Sequence, residues 1–178
     1  MPILKINHDN ENALHFLTMT VIEWIDVFTK PQYFKVIIDS LKYCQANKGL
    51  RLFEFVIMTN HLHLIARAKD GYKLSQIVSD FKKHTTREII KLLAADRRHY
   101  ILSLLRHSFA KKLNYDCQLW QDGNYPEIIT TESFLFEKVN YIHLNPVRKG
   151  YVDLPEQWHY SSAHVKMCND NFIELSRL

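Results

Sequence analysis

The chain is poor in residues that loosen a fold and in residues that staple one. Only 4 of its 178 residues are Gly and 5 are Pro, and no low-complexity tract or internal repeat is present. That composition excludes a linker or a disordered tail. Its 3 cysteines, Cys44, Cys117 and Cys168, are far apart, odd in number and without a CxxC pair. Neither a disulfide framework nor a thiolate zinc site is expected, and a reducing cytoplasm fits best. No apolar run reaches the ~18 residues of a membrane span. The opening MPILKINHDNENALHF is polar and acidic where a signal peptide needs an apolar core, so a soluble protein that is not exported is expected. A GxxxxGK[ST] phosphate loop is also missing, which argues against nucleotide-driven chemistry.

What is present describes a packed globular chain. Hydrophobic residues make up 47% and charged residues 24%, and the length predicts a single domain over 1–178 with a core large enough to need no staples. A formal charge of +4, with 10 His besides, and a pI near 8.9 favour an anionic partner without demanding one.

Periodicity predicts the elements. Leu14 to Phe28 is rich in β-branched and aromatic residues and reads as a strand leading to a helix start at Lys30-Pro31, where proline suits the first turn. Phe34, Ile37, Ile38, Leu41 and Cys44 then fall at helical spacing, and Asn47-Lys48-Gly49 supplies the stop. Arg51 to Met58 and His61 to Ala68 read as strands joined by a tight turn at Thr59-Asn60. A second helix is predicted from Leu74 through Leu93, with Lys82, Lys83, Arg87 and Lys91 outward. The basic stretch 96–112 either extends that helix or forms another, and 114–126 mixes aromatics with turn formers. A last helix spans Glu132 to Asn145 and stops at or shortly after Pro146. The remainder reads as loop, with a short edge strand near Phe172 to Leu175. The class is α+β, an antiparallel sheet with helices packed on one face.

Two places carry chemistry. Alternation along a strand points His61 and His63 to one side, with Leu62 and Leu64 to the other. Two imidazoles that converge can ligate a divalent ion, or can lie hydrogen-bonded on a half-exposed sheet face. On the last helix, Leu135, Val139 and Ile142 form a stripe for burial, and Tyr141 lies about 120° from Leu135. Tyr141 shares its side with Glu137, Asn145 and Arg148. It is either a placed hydroxyl or an amphipathic ring at a helix rim. Asn145 before Pro146 is a common helix ending and can also offer its carbonyl oxygen to a metal.

The run Met58-Thr59-Asn60-His61-Leu62-His63-Leu64, followed by Tyr141-Ile142-His143-Leu144-Asn145-Pro146-Val147-Arg148-Lys149-Gly150, closely resembles the paired signatures of the REP-associated tyrosine transposases. These belong to the IS200-like, HUH class of single-strand transposases. The resemblance extends through Leu119-Trp120-Gln121 and Tyr160-Ser161-Ser162-Ala163. It implies a ferredoxin-like HUH endonuclease fold, with Tyr141 as nucleophile and His61, His63 and Asn145 as ligands to Mg²⁺ or Mn²⁺. Set against the shortest members of the family, 96–112 looks like a basic helical insertion.

The implied reaction is cleavage and rejoining of single-stranded DNA beside a hairpin through a 5′-phosphotyrosine. A phenol of pKa near 10 is a poor nucleophile at neutral pH and needs position and a Lewis acid. Lys82, Lys83, Arg87 and Arg148 are candidate phosphate contacts, and Trp120 or Tyr125 could stack on a base, although core packing suits Trp120 better. Three rivals stand beside this: a hairpin-binding protein without strand transfer, a nuclease that nicks without joining, and a hydrolase in which His61 and His63 activate water. A monomer and a homodimer with the tyrosine helix supplied in trans are both compatible with the sequence.

Overall fold

The computed structural model describes residue 6, residues 10–107 and residues 117–177. In chain order the elements are β1 (His15–Thr20), α1 (Pro31–Asn47), β2 (Leu50–Ile57), β3 (His61–Ala68), α2 (Leu74–Ala95), α3 (His99–His107), β4 (Glu127–Ile128), α4 (Glu132–Arg148) and α5 (Ser162–Met167). The strands form one antiparallel sheet in the order β2-β3-β1-β4.

Register follows from alternation. In β3, Leu62, Leu64, Ala66 and Ala68 join Leu17, Met19, Leu52, Phe55 and Ile57 in a core covered by α1 and α2, which contribute Phe34, Ile37, Leu41, Ile77, Phe81 and Ile89. The other face is apolar too. Phe16, Phe53, Val56 and Ile65 pack against Ile142, Leu135 and Val139 of α4. The α+β class and the antiparallel sheet are as expected, but the helices are not confined to one face. A sheet with large apolar residues on both sides must be covered on both, and α4 covers the side that carries His61 and His63. Between Leu52 and Glu54 the β2/β3 register shifts. This bulge turns two consecutive residues, Phe53 and Glu54, toward α4.

Several boundaries move. The first strand stops at Thr20 and gives way to a 3₁₀ turn over Ile22–Trp24, in which Glu23 and Trp24 take φ of 52° and 56°. The stretch after α2 does not extend it: Arg97 at φ 55° breaks the chain, and α3 follows as a separate helix. Residues 108–112 of that basic stretch lie outside the described residues, as do 114–116. Downstream, 119–128 runs beside β1 through Ile22 N to Leu119 O, Gln121 N to Thr20 O and Thr18 N to Asn124 O. Helix α4 continues through Pro146 to Arg148, because the proline φ is helical and only the bond to the Ile142 carbonyl is forfeited. It ends in a Schellman turn, with Tyr151 N donating to Pro146 O, Gly150 N to Val147 O, and Gly150 at φ 69°.

No strand forms at 172–175. That stretch nevertheless lies along the free edge of β2, where Ser176 N donates to Leu52 O. Tyr160 O accepts from Ile57 N, and Ser162 Oγ bonds both Phe55 N and Phe55 O. These two runs occupy the edge donors and acceptors that would otherwise invite another strand.

Candidate active site

The turn between β2 and β3 is anchored rather than free. Asn60 donates to Trp24 O and to Asp26 Oδ1, Thr59 Oγ1 donates to the same carboxylate oxygen, and Phe28 N donates to Thr59 O. With its amide nitrogen so committed, Asn60 presents its oxygen to His61 Nδ1 at 2.7 Å. His63 Nδ1 meets Thr18 Oγ1, across the strand pair, at 2.9 Å. Both rings are therefore held through Nδ1, which leaves Nε2 of each as the ring atom a metal could take.

The two rings lie with centroids 4.9 Å apart. Tyr141 meets the His63 ring edge-on at 5.1 Å, and Phe16 stacks on His63 at 5.2 Å and meets Tyr141 edge-on at 5.9 Å. Asn145, one turn beyond Tyr141, is buried and in hydrogen-bond contact with His61. Thr131 caps the start of α4 by accepting from Phe134 N, so Tyr141 and Asn145 ride on one rigid element whose spacing of four residues stacks them on a common face. The structure thus gathers His61, His63, Tyr141 and Asn145 into one place.

Exposure divides the four. Tyr141 is 39% exposed, whereas His61, His63 and Asn145 are at 5%, 3% and 6%. Neither histidine lies on a half-exposed sheet face, since α4 lies over both. Burial, with the Lys149 charge second, lowers the His61 pKa to about 4. Burial, then His61 and Lys138, lowers that of His63 to about 3. Both imidazoles are neutral at physiological pH, the form that ligates metals.

His63 Nε2 is buried without a hydrogen-bond partner. Leaving a buried polar atom unpaired costs about 1–3 kcal/mol, and a divalent cation against His63, His61 and the Asn145 amide oxygen would satisfy it. Two imidazole nitrogens and one amide oxygen suit Mn²⁺ at least as well as Mg²⁺.

Cations surround the group. Arg148 lies over the Tyr141 ring at 5.6 Å. Lys138 sits over Phe16 at 4.6 Å and pairs with Glu127 at 2.9 Å. Sequence reasoning missed Lys138, although its position three residues before Tyr141 was a signal. Trp24 was also missed. It is 57% exposed and meets His61 edge-on at 5.6 Å, and nothing local in the sequence links it to the histidine strand.

A model of the family described as "Transposase IS200 like" matches residues 13–143. The chain belongs to that family. A Haemophilus influenzae protein named as a REP-associated tyrosine transposase is 28% identical over 76 residues, covering 35% of this chain and 43% of that protein. The match thus spans less than half of the relative's length. The solved structure of a REP-associated tyrosine transposase bound to a REP hairpin superposes with a TM-score of 0.64 at 16% identity, covering 100% of this chain and 88% of that one. At that identity the likeness is one of fold. It places this IS200-like member in the same α+β architecture.

The expected phosphate contacts of the IS200-like chain fare unequally. Lys82 does not point outward: its Nζ donates to Gln121 O at 3.1 Å and Gly123 O at 2.6 Å, and burial lowers its pKa to about 8. It clasps the loop beside β1 and is not free for DNA. Lys83 and Arg87 are exposed, but on α2, which packs on the sheet face opposite α4. Of the four, Arg148 alone stands beside Tyr141. Trp120 is core, with its indole N–H donated to Thr85 Oγ1. Among the described residues, no helix is long and apolar enough to cross a membrane.

Proposed function

We propose that this protein cleaves and rejoins single-stranded DNA beside a hairpin, with Tyr141 as nucleophile and with His61, His63 and Asn145 holding Mg²⁺ or Mn²⁺. The observation that carries this reading is the pairing of an accessible tyrosine with a buried, neutral His63 whose Nε2 has no partner. A cation bound there would act as a Lewis acid on the scissile phosphate. The chain's own residues do the rest. Arg148 and Lys149 offer charge to the incoming phosphodiester, and α4 fixes the phenol oxygen for in-line attack. As the bond from Tyr141 Oη to phosphorus forms, the bond to the 3′ oxygen breaks and that oxygen takes a proton. A 5′-phosphotyrosine and a free 3′-hydroxyl result, and attack by a 3′-hydroxyl reverses the step without ATP.

The hairpin is proposed because the relative of like fold was solved with a REP hairpin. Lys83 and Arg87 would meet DNA that wraps to the α2 side, and Trp24 would stack on an unpaired base beside His61. The basic stretch 96–112 is proposed as a helical insertion in a single domain over 1–178.

The test is labelled single-stranded hairpin DNA incubated with Mn²⁺ and run on a denaturing gel. Wild type should form a covalent adduct. Tyr141→Phe should bind DNA but form neither adduct nor nick, at any metal concentration. Asn145→Ala should show a defect that excess Mn²⁺ partly reverses. Nicking without adduct in Tyr141→Phe would make activated water the nucleophile. Binding without cleavage in wild type would leave a hairpin-binding protein.

A further inference from the structure

Away from Tyr141, three potential ligands converge near the C-terminus. His159 Nδ1 and His164 Nε2 lie 3.1 Å apart, and Asp170 Oδ2 is 3.8 Å from the first and 3.6 Å from the second. We propose that His159, His164 and Asp170 form a second metal site, of Zn²⁺ type, which clasps the C-terminal run against the rest of the fold.

Three features carry the proposal. The first is tautomer. His164 Nδ1 lies 2.6 Å from the carbonyl oxygen of Glu156, and a carbonyl only accepts, so the proton is on Nδ1 and the neutral ring presents a lone pair at Nε2. That lone pair faces His159 Nδ1 at 3.1 Å, within hydrogen-bond reach, and an Asp170 carboxylate oxygen at 3.6 Å. A cation would take the place of the His159 proton between the two rings, and the backbone carbonyl is the outer partner that ligating histidines commonly have.

Distance is the second. Donors about 2.0–2.2 Å from Zn²⁺ at tetrahedral angles lie about 3.3–3.6 Å from one another. The three separations straddle that range, and small movements of the His159 and Asp170 side chains bring all three within it. Exposure is the third. His164 is 18% exposed while His159 and Asp170 are at 51% and 42%, which leaves a route for the ion and a fourth position for water.

The site joins the parts that protect the β2 edge. His159 directly precedes Tyr160 to Ser162, His164 lies on α5, and Asp170 opens the run whose Ser176 N reaches Leu52 O. A metal at the three residues fixes both covering runs to each other.

The proposal is independent of the role of Tyr141, and the test keeps the two apart. Chelator-treated protein is titrated with Co²⁺, followed by its tetrahedral visible band, and with Zn²⁺, followed by amide exchange over 169–177. The band should survive in His63→Ala and vanish in His159→Ala, whose ring is half-exposed and whose fold circular dichroism checks. In Asp170→Ala the affinity should fall by more than the roughly 10- to 100-fold typical of outer-shell changes. Zn²⁺ should slow exchange over 169–177 at least tenfold in wild type and not in His159→Ala. A band that survives in both His159→Ala and Asp170→Ala overturns the proposal. So does a band lost only in His63→Ala, which would assign all bound metal to the site beside Tyr141. The absence of any band in wild type also overturns it.

Discussion

Replacing Lys82 by Met removes a buried ammonium that donates to the Gln121 and Gly123 carbonyls. Burial pushes the pKa of that ammonium from 10.5 to about 8, against a smaller upward pull from Asp122. A tenfold change in proton affinity is about 1.4 kcal/mol, so the fold disfavours the charged form by roughly 3 kcal/mol. Below about pH 8 the lysine is charged in both the folded and the unfolded chain, and the whole cost is present. Between about 8 and 10.5 the folded chain releases the proton while the unfolded chain keeps it. The unfolded state then binds more protons, so stability rises with pH across that window. Lys82→Met has nothing to titrate there. The unfolding free energy of wild type minus that of Lys82→Met should therefore grow by roughly 2–3 kcal/mol from about pH 7 to about pH 10. Urea melts of both proteins measure it, and Tyr33 and Tyr160, whose hydroxyls burial shifts upward, cancel in the difference. A flat difference would refute the reasoning. The same variant tests the clasp against a DNA role: a lost phosphate contact lowers the salt slope of binding by about one, whereas a clasp leaves it unchanged.

Glu54 gives a second pH test. Burial alone raises its pKa, but His143, Lys166 and Ser162 outweigh burial and hold the carboxyl below its ordinary 4.5, so its stabilisation is full above that value and fades as pH falls through the depressed one. Glu54→Gln should cost about 3 kcal/mol at pH 6 and show a shallower acid slope in urea melts, and equal slopes would count against the ion pair. His63→Ala should stay folded and lose no more than about 2 kcal/mol in chelator, because the missing ring is offset by removal of an unpartnered nitrogen. Any rise in Tm that Mn²⁺ gives wild type through this site should shrink in that variant. Trp24→Ala should leave stability unchanged and weaken single-strand binding by about 1–3 kcal/mol in fluorescence anisotropy, with duplex binding unaffected.

Local spacing carried much of the site. His61 and His63 share a strand face, Tyr141 and Asn145 share a helix face, and both pairs are legible from periods of 2.0 and 3.6. Lys82 shows where residue type misled. It falls four residues after Val78 and seven before Ile89, both buried, so the helical period already placed it inward, and a long aliphatic stem allows that while the ammonium finds carbonyls. The burial of both histidines was not legible, because it depends on α4, more than 60 residues downstream, lying across the sheet. The pairing of 119–128 with β1 was hidden for the same reason, since its partner is about 100 residues upstream and its one regular strand has two residues.

The arrangement of α4 explains how one helix can carry both an exposed tyrosine and a buried asparagine, as the proposed roles of nucleophile and ligand require. Its inward stripe runs Leu135, Val139, Ile142 and on to Asn145 and Pro146, and Asn145 is a polar residue at a position whose period demands burial. An amide there needs a partner, and His61 supplies one. Tyr141 lies one residue before Ile142, so the 100° step that turns Ile142 into the sheet leaves Tyr141 at the rim, against the edge of His63 and beneath Arg148. The offset between Tyr141 and Asn145 is then one helical turn of a helix capped at Thr131 and closed at Gly150, a separation that loop motion cannot change. Reactions that depend on in-line placement gain most from that kind of fixed geometry. In the proposed reaction the substrate strand would come to the helix rim, where Trp24, Arg148 and Lys149 stand exposed.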